Sequence, residues 1–160
     1  MSFEILAYKK TYQPIFEKLN MDWLNKYFKV EPIDVKVLGE PEKFIIEPGG
    51  AIYFVSYKGN IIGTAALKVE DDHVLELTKM AVDPIYQGLG AGKYLCKEMI
   101  HKAREMGYGE LILYSNRRLT AAINIYLKLG FKEIPLEEGV YERADIKMKI
   151  VFDSSSKYPT

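Results

Sequence analysis

The stretch ELTKMAVDPIYQGLGAGKYL, residues 76–95, joins an apolar segment to a helical pattern through three closely spaced glycines. Gly88, Gly90 and Gly92 stand immediately before or within the start of this helix, although glycine is a poor helix former. Their crowding indicates either a tight bend or the close approach of another molecule to the backbone. Such a turn gathers unpaired backbone N–H groups at the positive end of the helix dipole, an arrangement that binds phosphate.

Two familiar nucleotide-binding motifs do not fit this turn. A Walker loop needs a glycine five residues before Gly92 and a Ser or Thr after Lys93, where the sequence has Gln87 and Tyr94. A dinucleotide fingerprint needs a third glycine where the sequence has Lys93 or, in the other register, Leu95. A glycine-rich turn that binds no ligand remains an open alternative.

On both sides of the turn, the hydrophobic pattern changes between strand and helix periods. Helices are predicted from Tyr12 to Tyr27 and over residues 42–46, 93–106 and 119–129. Residues 29–41 indicate a loop or a broken helix. Strands are predicted over residues 3–10, 51–57, 61–69, 73–82, 110–115, 130–134 and 141–152.

This order predicts an α/β fold with a mixed, mostly antiparallel twisted sheet of about seven strands and helices on both faces. The β-α-β unit around the glycines should be parallel, and the hairpins antiparallel, with Gly59 and Asn60 at the bend of the first hairpin. The length suits a single domain, residues 1–152, and the polar tail 153–160 is expected to fray.

The composition favours a protein without nucleic-acid or membrane partners. The chain has 22 basic and 22 acidic residues, so its formal net charge of zero gives no overall attraction to polyanions. Cys96 is the single cysteine, and the two histidines, His73 and His101, are far apart, so no metal site is expected. The N-terminal residues carry early charges and no long apolar run, which predicts a cytoplasmic location.

The glycine turn resembles the acetyl-CoA signature of the GCN5-related N-acetyltransferase (GNAT) family. Gln87, Gly90 and Gly92 fill the core of that signature. Downstream, LYSNRRLTAAINIYLKLGFKE, residues 113–133, is similar to the family's second conserved region, in which Tyr126 precedes a Gly-Phe pair. The resemblance runs from about Phe3 to Phe152.

The resemblance implies a binding site for acetyl-CoA without a metal. The backbone of Gln87, Gly88, Leu89, Gly90, Ala91, Gly92 and Lys93 would hold the pyrophosphate. Met80, Ala81 and Val82 would lie along the pantetheine arm in a gap where the two parallel strands splay apart, with an N–H near Val82 facing the thioester oxygen. Asn116 and Asn124 are further candidate contacts.

Two residues are candidates for the chemistry of acetyl transfer, which needs a neutral amine and a protonated leaving thiol. Glu76 is the candidate base, since on a regular strand it shares a face with Thr78 and Met80 beside the expected thioester. Tyr126 is the candidate acid, from its match to the family tyrosine. The alternatives are a structural strand carboxylate for Glu76 and core packing for Tyr126.

The acceptor side of the site is expected near the end of the first helix. Trp23, Tyr27 and Phe28 suit either the core or a substrate wall. Glu31 and Asp34 follow them in sequence and are candidates for attracting a cationic amine.

Together these features predict an N-acetyltransferase that transfers acetyl from acetyl-CoA to a primary amine by direct attack in a ternary complex. The acceptor is a small molecule or a protein amine, and another acyl group or an alcohol acceptor stays open. The alternatives are a non-catalytic coenzyme A-binding sensor and an interaction domain of the same fold. The resemblance also implies a homodimer.

Overall fold

The structure is a computed structural model that describes residues 2–139 and 141–152. The predicted frayed tail, residues 153–160, lies outside the described residues. Seven strands form one sheet: β1 Phe3–Ala7, β2 Ala51–Tyr57, β3 Asn60–Val69, β4 Val74–Val82, β5 Glu110–Ser115, β6 Lys132–Ile134 and β7 Ile146–Val151. Four α-helices accompany it: α1 Gln13–Tyr27, α2 Pro32–Gly39, α3 Ala91–Glu105 and α4 Thr120–Lys128. Short helical turns lie at Lys10–Tyr12, Glu42–Ile46 and Pro84–Tyr86.

The strand order across the sheet is β1-β2-β3-β4-β5-β7-β6. β4 and β5 are parallel and α3 connects them, while the other neighbouring pairs are antiparallel. This confirms the predicted mixed sheet with a central parallel β-α-β unit. Within the described residues, every helix is too short or too polar to cross a lipid bilayer.

The sheet has a hydrophobic core on each face, which confirms the prediction of helices on both sides. On one face, Leu95, Met99 and Ala103 of α3 pack at the predicted helical spacing and are fully buried. On the other face, Phe16 of α1 and Leu38 of α2 lie in a second buried cluster. Because both faces are covered, a charged group on a central strand loses most of its hydration.

The structure corrects two local predictions, those for the first hairpin and the last strand, and decides between the two alternatives for residues 29–41. The first hairpin bends at Lys58 and Gly59, whose φ angles are 51° and 82°, because Asn60 is already paired with Tyr57. Residues 29–41 contain a true helix, α2, whose start is fixed by a reciprocal capping box between Glu31 and Asp34. The last predicted strand begins only at Ile146, since residues 141–144 form a turn closed by the Ala144 N–H donating to the Tyr141 carbonyl.

A β-bulge in β4 lies close to the point where the sheet opens. Lys79 has a φ angle of 56°, and the pairing with β3 shifts by one residue between Thr78 and Ala81. Parallel pairing between β4 and β5 ends at Glu76 and Ile112, although both strands continue. The two strands therefore part beyond Glu76, as the resemblance implied.

Candidate active site

A cleft of about 720 Å³ occupies the gap between β4 and β5. Its walls come from the parting strands, the glycine turn, α4, the end of α1 and the turn before β7. Since β4–β5 pairing stops at Glu76, backbone groups of the later β4 residues face this cleft rather than a neighbouring strand. An extended ligand can therefore lie along β4 and bond to it as an added strand would.

The glycine turn forms one end of the cleft. Gly88 and Gly90 have φ angles of 87° and 86°, which other residues adopt only with strain, and Gly90 caps α3. The first bond of the helix runs from the Tyr94 N–H to the Gly90 carbonyl at 3.0 Å, so the three preceding N–H groups are free of the helix ladder. This arrangement suits the pyrophosphate of coenzyme A.

Gly92 shows that the turn leaves room for a ligand. Its φ angle lies outside the left-handed range, so its backbone does not require glycine. A Cβ atom built at Gly88, Gly90 or Gly92 would meet no heavy atom within 4 Å. Because these residues have no side chains, the space above the helix start is open, and a ligand can approach the backbone closely there.

The structure brings most of the predicted site residues together. The following line the cleft: Glu76, Met80, Ala81, Val82, Gln87, Gly88, Gly90, Ala91, Gly92, Lys93, Asn116 and Tyr126. Leu89 and Asn124 are not among the lining residues. Asn124 is exposed because Ala122, Ile125 and Tyr126 turn their side of α4 to the cleft.

Asn116 has a structural task within the cleft wall. Its Nδ2 donates to the Arg143 carbonyl at 2.8 Å, and its Oδ1 accepts from the Arg118 N–H at 2.9 Å. The amide thus joins the turn before β7 to the loop after β5. Each end of the amide makes one of the two hydrogen bonds that it can make, so Asn116 has a structural role whether or not it contacts a cofactor.

Glu76 lies at the point where the strands part, and it is only 2% exposed. Its Oε2 accepts a hydrogen bond of 3.1 Å from the Tyr141 hydroxyl. Burial first, and then the neighbouring carboxyl of Glu70, raise the pKa of Glu76, while Lys68 and the Tyr141 bond oppose the shift; the resulting pKa is about 8. A carboxyl of this kind exchanges its proton near neutral pH, as a general base must.

The predicted face of β4 is wrong in one respect. Met80 packs against the core on the α3 side together with Leu77, whereas Glu76 faces the α2 side, where Tyr141 lies. The bulge at Lys79 interrupts the alternation on which the prediction depended. Met80 still lines the cleft through the opened edge of its strand.

Tyr126 lies in the opposite wall of the cleft. Its ring packs edge-on against Phe131, with 5.8 Å between centroids. Tyr126 is 8% exposed and lines the cleft. Burial raises the pKa of Tyr126 well above the usual value, so the group stays protonated and able to donate.

An ion cluster closes the end of the cleft near Glu76. The carboxylate of Asp34 is fully buried and accepts from Lys79 Nζ at 3.0 Å and from two Arg143 nitrogens, each at 2.9 Å. Glu31 accepts from Arg143 at 2.7 Å. The expectation that Glu31 and Asp34 attract a cationic amine is therefore wrong, because both carboxylates already neutralise side chains of the protein itself.

Lys79, Tyr141 and Arg143 line the cleft and were missed by the sequence reasoning. Lys79 gave a signal, since a lysine in the middle of an otherwise apolar strand needs a buried partner or a bulge. Tyr141 and Arg143 gave none, because their segment was assigned to the final strand.

The end of α1 forms an aromatic wall. Trp23, Tyr27 and Phe28 all line the cleft, so they belong to the site rather than only to the core. Arg118 holds this wall, since it donates to the Tyr27 carbonyl at 2.6 Å and lies 4.6 Å from the centre of the Phe28 ring.

Cys96 is fully buried in the core on the α3 side. Burial raises the pKa of its thiol to about 12, so the thiolate needed for nucleophilic attack is scarce at neutral pH. Among the described residues, no group of three His, Cys, Asp or Glu side chains is placed to hold a metal ion.

Comparison with known proteins shows which family this chain resembles. A family model described as "Acetyltransferase (GNAT) family" matches residues 13–131. The chain is 32% identical over 108 residues to the uncharacterized N-acetyltransferase YjgM of Escherichia coli (strain K12), which covers 66% of this chain and 65% of that protein. It is 30% identical over 96 residues to N-acetylaspartate synthetase of Xenopus tropicalis, covering 59% of this chain and 35% of that protein. The chain thus spans less than two thirds of the length of these curated relatives.

Solved structures share the fold at low sequence identity. An acetyltransferase of the GNAT family from Staphylococcus aureus Mu50 superposes with a TM-score of 0.80 at 22% identity, over 92% of this chain and 98% of that one. A GNAT family acetyltransferase from Elizabethkingia anophelis, solved with acetyl-CoA bound, gives a TM-score of 0.64 at 21% identity, over 94% and 98% of the two chains.

Proposed function

Since the chain belongs to the acetyltransferase (GNAT) family, we propose that it transfers the acetyl group of acetyl-CoA to a primary amine. The observation that carries the proposal is the cleft itself, which leads from the glycine turn along the opened edge of β4 to Glu76. A pyrophosphate, an extended arm and a reacting thioester require these environments in that order. The acetyl-CoA bound to the Elizabethkingia anophelis relative supports the same cosubstrate.

The residues of the cleft divide the binding among them. The N–H groups from Gly88 to Lys93 would hold the pyrophosphate, and the space above Gly92 would admit it. The backbone of Met80, Ala81 and Val82 would pair with the pantetheine arm. When bound, acetyl-CoA supplies an acetyl group that is activated as a thioester.

The chemistry then falls to two side chains on opposite walls. Glu76 would accept the proton of the amine, directly or through water, and its raised pKa suits that task at neutral pH. Tyr126 would donate its proton to the departing sulfur, since it lines the wall opposite Glu76 and its raised pKa keeps the hydroxyl protonated. The buried thiol of Cys96 supports direct transfer without a covalent enzyme intermediate.

A panel of amines tests this function. The protein is incubated with acetyl-CoA and each amine, thiol release is measured, and coenzyme A binding is measured separately by calorimetry. Turnover of one or more amines is the expected result. Coenzyme A binding without turnover of any amine would favour the sensor, and no binding would favour a turn without a ligand. A cytoplasmic location and a homodimer stay predictions from the sequence.

A further inference from the structure

Tyr141 joins the catalytic end of the cleft to a part of the chain that is distant in sequence. Its hydroxyl donates to Glu76 Oε2 at 3.1 Å across a separation of 65 residues. Both side chains line the cleft. The bond engages one of the two oxygens of the carboxylate.

The ring of Tyr141 is held in place from several sides. Lys79 Nζ lies 5.6 Å and the Arg143 guanidinium 5.1 Å from its centre, and the Tyr114 ring packs edge-on at 5.7 Å. Both cations are anchored by the buried carboxylate of Asp34. The ion cluster therefore fixes the ring, and the ring directs its hydroxyl toward Glu76.

Charged groups surround Glu76 on several elements. Lys68 and Glu70 act on it from β3 and the turn after it, Lys79 from its own strand, and Tyr141 from the turn before β7. Beyond Tyr141, Arg143 and Asp34 complete the cluster. Tyr141 donates to the carboxylate at 3.1 Å, while Glu70 raises the pKa of Glu76 through a hydrogen bond between the two carboxyls.

We propose that Tyr141 is a positioning residue for the reaction: its hydroxyl holds the Glu76 carboxylate in the orientation in which it accepts the proton of the amine. The proposal rests on the proposed function of Glu76 as the base. The hydrogen bond also stabilises the charged carboxylate over the neutral acid, so its loss makes Glu76 harder to ionise. Tyr141 thus sets both the direction and the pH range of the base.

Tyr141→Phe removes the hydroxyl and keeps the ring that packs on Lys79 and Arg143. Tyr8→Phe is the matched control, because the Tyr8 hydroxyl donates to Glu42 at 3.2 Å outside the cleft. Incorporation of 3-fluorotyrosine at position 141 gives the opposite change, since its more acidic hydroxyl is a stronger donor of nearly unchanged shape.

The first measurement is the dependence of kcat/KM on pH. In Tyr141→Phe, the acidic limb should move to higher pH by about one unit, which lowers kcat/KM on that limb up to tenfold. The fluorinated protein should show a limb at lower pH, and Tyr8→Phe should match the wild type. An unmoved limb in folded Tyr141→Phe would overturn the proposal.

The second measurement is a carbon-13 NMR titration of the Glu76 carboxyl, which needs no acceptor. The midpoint should rise in Tyr141→Phe, fall with 3-fluorotyrosine and stay in place in Tyr8→Phe. An identical midpoint in all four proteins would overturn the link between Tyr141 and Glu76. If the wild type acetylates no amine, the proposed function fails, whereas a shifted midpoint would still support the positioning of Glu76 by Tyr141.

Discussion

Replacing Asp34 by alanine should destabilise the protein far more than removing an exposed carboxylate. Asp34 is fully buried and accepts hydrogen bonds from Lys79, from Arg143 and from the backbone N–H of Glu31, at 2.9–3.0 Å. Its truncation leaves two largely buried cations with Glu31 as the remaining counter-charge. Breaking a buried ion pair in this way lowers the free energy of unfolding by about 3–5 kcal/mol.

The pKa of Asp34 gives a second measure of how much this carboxylate stabilises the fold. Burial alone raises this pKa, but Arg143, Lys79 and the Glu31 N–H outweigh burial and lower it to about 2. Against an unfolded value near 3.9, the difference stabilises the fold by about 2.5 kcal/mol at neutral pH. Because the folded pKa is the lower one, this stability is present above about pH 4 and disappears as the pH falls toward 2.

Urea unfolding and thermal melting at pH 7 measure the effect. For a domain of this size each kcal/mol shifts Tm by about 2–4 °C, so Asp34→Ala should lower Tm by roughly 10 °C. Asp22→Ala is the control, because Asp22 pairs with Lys18 at 2.7 Å on the exposed surface of α1 and should melt like the wild type. Asp34→Asn keeps the shape of the side chain but carries no charge at any pH. The difference in Tm between this variant and the wild type should therefore disappear as the pH falls from about 4 to 2. Equal melting of Asp34→Ala and Asp22→Ala would refute the reasoning.

Three further predictions address the cleft. Glu76→Gln should lower kcat/KM at pH 7 by roughly a hundredfold. The loss should become smaller at high pH, because more of the amine is then already neutral. An equal loss at every pH from about 6 to 10 would exclude the role of Glu76 as the base. Gly90→Glu and Gly92→Glu should abolish coenzyme A binding in calorimetry while the fold persists, since each side chain enters the space of the pyrophosphate, and Gly92→Ala should bind more nearly like the wild type. Tyr126→Phe should lower kcat by about ten- to a thousandfold with little change in acetyl-CoA affinity. If the chemical step is rate-limiting and kcat is unchanged, Tyr126 has only a packing role.

The parts of the fold that the sequence predicted depend on short-range patterns. The strand and helix order follows from apolar periods within each element, and the helix start at the glycine turn follows from three residues of special backbone freedom. The position of Glu76 on a central strand could also be predicted from a short-range pattern, because its carboxylate stands among mostly apolar strand residues. These features require no knowledge of which distant segments meet.

The end of the cleft near Glu76 could not be predicted in this way. Tyr141 reaches Glu76 across 65 residues, and Arg143 reaches Asp34 across 109. The sequence pattern predicts residues 141–144 as part of the last strand because they run without a glycine or proline into the true strand β7. The charges of Glu31 and Asp34 were visible in the sequence, but their partners were not, and the partners decide whether a carboxylate attracts a substrate or neutralises the protein.

The bulge at Lys79 connects the two ends of the cleft. A non-glycine residue with a φ angle of 56° costs about 1–2 kcal/mol, so something must hold it there. The ion pair with buried Asp34 does so, because only the bulged backbone aims the lysine at α2 while Leu77 and Met80 stay on the α3 side. The register shift at the bulge lies just beyond Glu76, where the pairing of β4 with β5 ends and the cleft begins. The same local distortion therefore borders the cleft and carries the cation that packs on Tyr141, the hydrogen-bond partner of Glu76.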